Sequence, residues 1–196
     1  MVLEAPPRPS EMFAITSLPA LYGDGCHELT VDDWWALPED GRQYELLDGM
    51  LTLMPPPNLR HQLTLTELVT EFRLYTRRFG GTVGMAPLGI ALTAKIGFEP
   101  DLVYVAPGRE EILSERGVEG VPDIVVEIAS PSTQTYDRDR KLPIYLELGV
   151  REVWLVDPKA GTVTVHTAGG ERTVAFGVGI PSAIVDIGAG GLAALV

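Results

Sequence analysis

The chain has 196 residues, 45% hydrophobic and 21% charged, a balance that supports a buried core and excludes a disordered or collagen-like chain. Fifteen basic against 27 acidic residues give a net charge of −12, which argues against indiscriminate adhesion to nucleic acid. No apolar run is long enough to span a bilayer, and a single cysteine, Cys26, excludes an internal disulfide and a cysteine zinc site.

The N-terminal MVLEAPPRPSEMF carries acids and prolines where an export signal needs a basic start and an apolar run, so a cytoplasmic protein is expected. Residues 1–28 hold four prolines and little periodicity and read as an extended arm; residues 29–196 are expected to form a single domain. Thr30 followed by Asp33 forms a capping-box pattern ahead of Trp34, Trp35 and Leu37, which predicts a short first helix. QYELLDGMLTLM then places β-formers on both sides of Asp48-Gly49, a hairpin signal, and Pro55, Pro56 and Pro57 end it. From Asn58 to Phe79 the spacing of Leu59, Leu63, Leu68, Phe72, Tyr75 and Phe79 predicts the longest helix, stopped by Gly80-Gly81. Strands are expected at 82–86, 88–93 and 100–105, a brief helix at 109–113, a strand at 123–129, a helix at 134–148 and a strand at 152–156. The last three form a β-α-β unit, which favours parallel pairing. Residues 162–196 read as short antiparallel strands separated by glycines. The Arg73, Arg77, Arg78 cluster and the Arg138, Arg140, Lys141 cluster read as solvated helix faces.

Two strands carry the chemistry. FEPDLVYV and VPDIVVEIAS each enter through Pro-Asp and continue as apolar runs of the kind buried on both faces. Alternation along the second strand turns Asp123, Val125, Glu127 and Ala129 one way and Ile124, Val126 and Ile128 the other. Glu127 therefore sits inside the sheet, where an ionised carboxylate needs a partner. One reading is structural: Glu127 pairs with an arginine or accepts a backbone amide, and Asp101 and Asp123 mark strand starts after proline. The other is chemical: Asp101 and Glu127 converge on a hard-oxygen site for Mg²⁺, with Mn²⁺ as a substitute. Lys141, on the following helix, either adds a cation there or pairs with Asp137 at i,i+4 on the helix surface.

YELLDG (44–49), His61 after the proline-rich turn, EPDLVYV (99–105) and VPDIVVEIASPSTQTYDRDRKLPIYLELGVREVWLVDP (121–158) resemble the Uma-type family of restriction endonucleases, a branch of the PD-(D/E)xK nuclease superfamily. The resemblance covers about residues 30 to 190 and implies a restriction-endonuclease-like α/β fold, a mixed β-sheet flanked by helices. It implies Asp101 and Glu127 as metal ligands. Ala129 stands where the superfamily places its lysine; in RKLPIY, Lys141 matches the lysine thought to have moved to the helix, although Pro143 either delays or kinks that helix. Glu45 resembles an additional acid beside the metal, or is a solvent-facing acid of the hairpin. His61 matches a family position and contacts phosphate or moves a proton, or is a helix-start residue. The implied function is a Mg²⁺-dependent DNA endonuclease, with a homodimer expected for cutting both strands. The alternative is a catalytically vestigial, nuclease-like dimeric binding or regulatory module, in keeping with the charge of −12. Ser130, Ser132 and Thr133 fit a turn and cap, since no GxSxG elbow is present; GAGG (188–191) lacks a P-loop context, and His166 on a predicted hairpin takes no role.

Overall fold

The computed structural model describes residues 28–38 and 40–188. Apart from Glu28, the expected N-terminal arm lies outside the described residues, as do residues 189–196 of the expected C-terminal strands.

Helix α1 (Val31–Trp35) begins at the predicted capping box: the Asp33 carboxylate accepts the Thr30 N–H at 2.8 Å, and Thr30 Oγ1 accepts the Asp33 N–H at 3.3 Å. Strands β1 (Gln43–Leu47) and β2 (Met50–Met54) form the predicted antiparallel hairpin. Asp48 at φ 51° and Gly49 at φ 76° turn it, both positive as a two-residue primed turn requires.

Helix α2 (Leu59–Phe79) is capped by Asn58, whose side chain accepts the His61 N–H. It buries His61, Thr64, Leu65, Leu68, Phe72 and Thr76, while Leu59, Leu63 and Phe79, expected on the core side, are exposed at 74%, 46% and 50%. The stripe could not be read from hydrophobicity because three of its members are polar. Thr64 and Thr76 satisfy their hydroxyls on the Arg60 and Arg73 carbonyls of the same helix, and His61 faces the site.

Nine more strands follow: β3 (Thr82–Met85), β4 (Gly89–Thr93), β5 (Ile96–Phe98), β6 (Leu102–Val105), β7 (Gly117–Glu119), β8 (Ile124–Ile128), β9 (Glu152–Asp157), β10 (Thr162–Thr167) and β11 (Gly170–Ala175). A single 3₁₀ turn, Glu110–Ile112, stands at the predicted brief helix. Between β8 and β9 runs α3, made of Gln134–Tyr136, a π-type turn Asp137–Lys141, and Leu142–Glu147. The architecture is mixed α/β with two mixed sheets where one was expected: β2-β1-β5-β4-β7 and β11-β10-β9-β8-β6-β3. The strands predicted at 82–86 and 88–93, successive in the chain, separate into different sheets at Ala86-Pro87-Leu88. There β3 joins the larger sheet and β4 the smaller, because Pro87 offers no N–H to continue a ladder. Strands β5 and β7, three residues each, are too short to show alternation in sequence. Beyond Ala175 the described residues contain no strand.

Strand β8 lies at the centre of the larger sheet, parallel to β9 through α3 as expected, and antiparallel to β6. Its alternation is as read from sequence. Ile124, Val126 and Ile128 join Leu68, Phe72 and Trp154 in one core; Val125 joins Tyr145, Phe98 and Val153 in another. Each of these buried apolar side chains contributes about 1.5–3 kcal/mol. No helix of the described residues is long and apolar enough to cross a membrane.

Candidate metal centre

The β6–β8 register pairs Leu102 with Val126 and Val103 with Val125, so Asp101 enters opposite Glu127. Asp101 Oδ2 accepts the Ile128 N–H at 2.6 Å, which ties the acid to the strand carrying Glu127. Its Oδ1 lies 3.1 Å from His61 Nε2, brought in by the first turn of α2. Glu45 comes from the other sheet, on β1. The β1–β5 pairing at Leu46 and Gly97 draws it to Glu99, whose N–H donates to Glu45 Oε1 at 3.3 Å.

Lys141 joins the two sheets. Its Nζ lies 2.7 Å from Glu45 Oε1, 2.7 Å from Glu127 Oε1 and 3.6 Å from Asp137 Oδ1, and stands over the Phe98 ring. Tyr145 donates its hydroxyl to Glu127 Oε1 at 2.7 Å. Asp137, Lys141 and Tyr145 recur every four residues, and all three are buried. The π turn keeps the first two on one side, with the Leu142 N–H donating to the Asp137 carbonyl five residues back. Pro143 has no N–H for the Asp139 carbonyl, so the ordinary helical ladder is interrupted there. Arg138 and Arg140 of the same turn are exposed, as expected of a solvated face, whereas Lys141 is not.

All five residues singled out in the sequence, Glu45, His61, Asp101, Glu127 and Lys141, line one cavity of about 250 Å³. Glu45, with a solvent-facing alternative, is 1% exposed. The Asp137–Lys141 pair, with a surface alternative, is buried in the wall. Two acids that the sequence reading did not assign to the site, Glu99 and Asp137, line the same cavity. Glu99 stands two residues before Asp101 on its own strand entry, and the four-residue repeat of Asp137, Lys141 and Tyr145 was a readable signal for the second. Asp123, by contrast, is structural: it accepts from the Ala106 N–H and pairs with Arg109 and Arg151. Ser130 accepts the Thr133 N–H, a turn role, while also lining the cavity. His166 pairs with Glu171 across the β10–β11 hairpin.

Five carboxylates thus face one ammonium and one imidazole. Burial pushes Glu127 well above the ordinary carboxylate range, helped by the Asp137, Asp101 and Glu45 charges and opposed by Lys141. Burial raises Glu45 and Asp137 too, again against Lys141. Glu99 is pushed up to about 7 by burial and then by the Glu45 charge. Burial works against the Lys141 charge, but Glu127 and Glu45 outweigh it and hold the ammonium well above its ordinary value. Glu45 Oε2 and Glu99 Oε2 are buried without a hydrogen-bond partner. This gathering of hard carboxyl oxygens, held toward their neutral forms by burial, fits by chemistry a divalent cation such as Mg²⁺ that would favour their ionised forms. Among the described residues, no three His, Cys, Asp or Glu side chains stand close enough together to hold a metal as they are; the Lys141 ammonium lies between the acids.

No relative is found among curated proteins. Among solved structures, a "putative nuclease belonging to DUF820" from Anabaena variabilis is similar, with a TM-score of 0.71 at 18% identity over 85% of this chain and 98% of that one. That likeness bears on the fold, which is restriction-endonuclease-like. The sequence model of the Uma2 family, described as "Putative restriction endonuclease", matches residues 31–179, the span that carries both sheets and every wall of the cavity. The chain belongs to the Uma2 family.

Proposed function

We propose that the chain is a metal-dependent nuclease of the cytoplasm that hydrolyses DNA phosphodiester bonds, with Asp101 and Glu127 holding Mg²⁺ and Mn²⁺ able to replace it. The observation that carries this reading is the cross-strand placement of Asp101 against Glu127 with a buried lysine 2.7 Å from the latter. A divalent cation at these carboxylates supplies charge neutralisation and a more acidic water. The protein's own groups do the rest. Lys141, fixed by Glu127 and Glu45, offers a permanent positive charge to a phosphate oxygen or orients the attacking water. Tyr145 holds the Glu127 carboxylate in one orientation, and His61 does the same for Asp101. Pro57, just ahead of α2, and His61 and Gln62 of its first turn line the cavity, so the positive end of the helix dipole lies where a phosphate would approach. His61 is then a phosphate contact as well as a partner of Asp101. Cutting both strands calls for two copies related by a two-fold axis, each presenting one cavity.

The test is cleavage of duplex DNA by purified protein with Mg²⁺ or Mn²⁺. Asp101→Asn and Glu127→Gln are each expected to lower kcat/KM by at least about 10²-fold, the loss of several kcal/mol of transition-state stabilisation. Unchanged cleavage in either variant overturns the assignment. The net charge of −12 favours a second reading, a dimeric nuclease-like binding module without catalysis. It predicts no cleavage and no change in melting temperature on adding Mn²⁺, with a dimer still seen by sedimentation.

A further inference from the structure

We propose that the outward face of α2 is where two copies of this chain pair, antiparallel about a two-fold axis that passes between Thr66 and Glu67. This deepens the two-copy part of the proposed function and rests on that part alone, since a dimeric module without catalysis uses the same face. Among the described residues seven large apolar side chains are exposed, and four of them, Leu59, Leu63, Leu74 and Phe79, belong to α2. Leu59, Leu63, Thr66, Thr70 and Leu74 follow one another by steps of three or four residues and are all exposed, so they form one stripe. It runs along the side of the helix opposite the buried His61, Leu65, Leu68 and Phe72. Thr66 Oγ1 donates to the Gln62 carbonyl at 2.9 Å, and Thr70 Oγ1 to the Thr66 carbonyl at 2.8 Å. With both hydroxyls satisfied by the helix's own backbone, the whole stripe can be covered without stranding a donor.

The stripe complements a reversed copy of itself. Turning a second α2 about the midpoint between Thr66 and Glu67 sets Leu59 against the partner's Leu74 and Leu63 against the partner's Thr70, and the reciprocal contacts follow by symmetry. Arg60, Glu67, Glu71 and Arg78 run along one edge of the stripe, and none of them makes an ion pair among the described residues. The same midpoint brings Arg60 within a turn of the partner's Glu71. A contact centred nearer Val69 would instead set Arg60 against Arg78 and Glu67 against Glu71, like charge on like, so the edge selects the register in which the leucines also meet. Glu71 and Leu74 line a hollow of about 200 Å³ together with Tyr75, Ile187, Asp186 and Arg78. Its apolar wall suits the stem of the partner's Arg60, and its two acids, outnumbering the one base, suit the guanidinium. A nucleic acid brings no apolar surface for the leucines and would meet Glu67 and Glu71, so a second copy is the fitting occupant. Antiparallel pairing carries the two α2 N-termini, and the cavities they line, to opposite ends of the contact.

Sedimentation equilibrium of the purified chain, with divalent metal chelated, tests the proposal without reference to cleavage. The wild-type chain is expected to be a dimer, and Leu63→Glu to weaken it at least about thirtyfold. Arg60→Glu and Glu71→Arg are each expected to weaken it at least about fivefold, and the two together to restore it to within about threefold of wild type. A monomeric wild type overturns the proposal and the two-copy reading, and leaves Asp101 and Glu127 to their own test; cosedimentation of that monomer with anionic phospholipid vesicles would assign the face to a lipid surface. A dimer that none of these substitutions weakens overturns this face and leaves the two-copy reading standing on another. Single charge variants that weaken the dimer, with no recovery in the double variant, overturn the antiparallel register.

Discussion

Lys141 is the residue on which the centre of the protein turns. It is 1% exposed and touches three carboxylates from three elements, an arrangement whose stability depends on all partners being present. Removing one member of a buried ion pair costs about 3–5 kcal/mol because the remaining charges lose their compensation. Lys141→Met is therefore expected to lower the melting temperature sharply, and added Mn²⁺ to restore much of it by taking over the neutralisation; a loss that Mn²⁺ does not repair contradicts that account. Asp123 gives a prediction of opposite kind. Burial opposes its ionisation, but the Ala106 N–H, Arg151 and Arg109 outweigh burial and hold the carboxyl below its usual 3.8. An acid with a lowered folded value stabilises the fold above its unfolded value, and that stabilisation disappears as pH falls through the folded value. Asp123→Asn is thus expected to cost about 1–3 kcal/mol near neutral pH and progressively less below about pH 4, which urea denaturation at the two pH values checks.

At the scale of elements, two local devices position the site. The first is the π turn of α3, which holds Asp137 and Lys141 together in the cavity wall and gives way at Pro143 to ordinary helix. The second is the docking of α1 on the smaller sheet. Trp34 donates its indole N–H to the Tyr44 carbonyl at 2.7 Å, and its ring lies where a Cβ on Gly97 would stand, 2.5 Å from the nearest ring carbon. Gly97 is in β5, opposite Leu46 of β1, the strand that carries Glu45. Gly97→Ala is expected to destabilise by about 1–3 kcal/mol through overpacking and to displace Trp34, with a red shift of tryptophan emission. Unaltered emission and stability would mean that α1 yields without cost.

Over the whole molecule, charge and topology pull in different directions. A chain of net charge −12 cannot wrap DNA in a broad basic surface, so positive potential at the cavity comes from Lys141 and the α2 N-terminus and, under the proposed function, would be completed by a bound cation. DNA binding is accordingly expected to show a shallow salt dependence, a log–log slope no steeper than about −4, in keeping with only a few phosphate contacts. A slope near −8, measured by fluorescence anisotropy, would reveal an extended basic face.

The elements themselves were legible because they depend on local patterns: the Thr30–Asp33 capping box, the Asp48-Gly49 turn and the alternation of β8 each act within a few residues. The same is true of the candidate pair, since Asp101 and Glu127 stand out as acids in apolar strands and Lys141 follows at a readable distance. What the sequence left open was decided by tertiary contact. Whether Glu45 faced water or the core depended on β1 pairing with the three-residue β5, and whether Asp137–Lys141 was a surface pair depended on the π turn carrying it inward. The division into two sheets and the polar stripe of α2 were equally out of reach, because hydrophobicity records that a face is buried and not what it is buried against. By itself the sequence determined the longer strands, the hairpin turn and the acids they carry; only the tertiary structure, by bringing two sheets and one helix to a single lysine, decided which of those acids share a cavity.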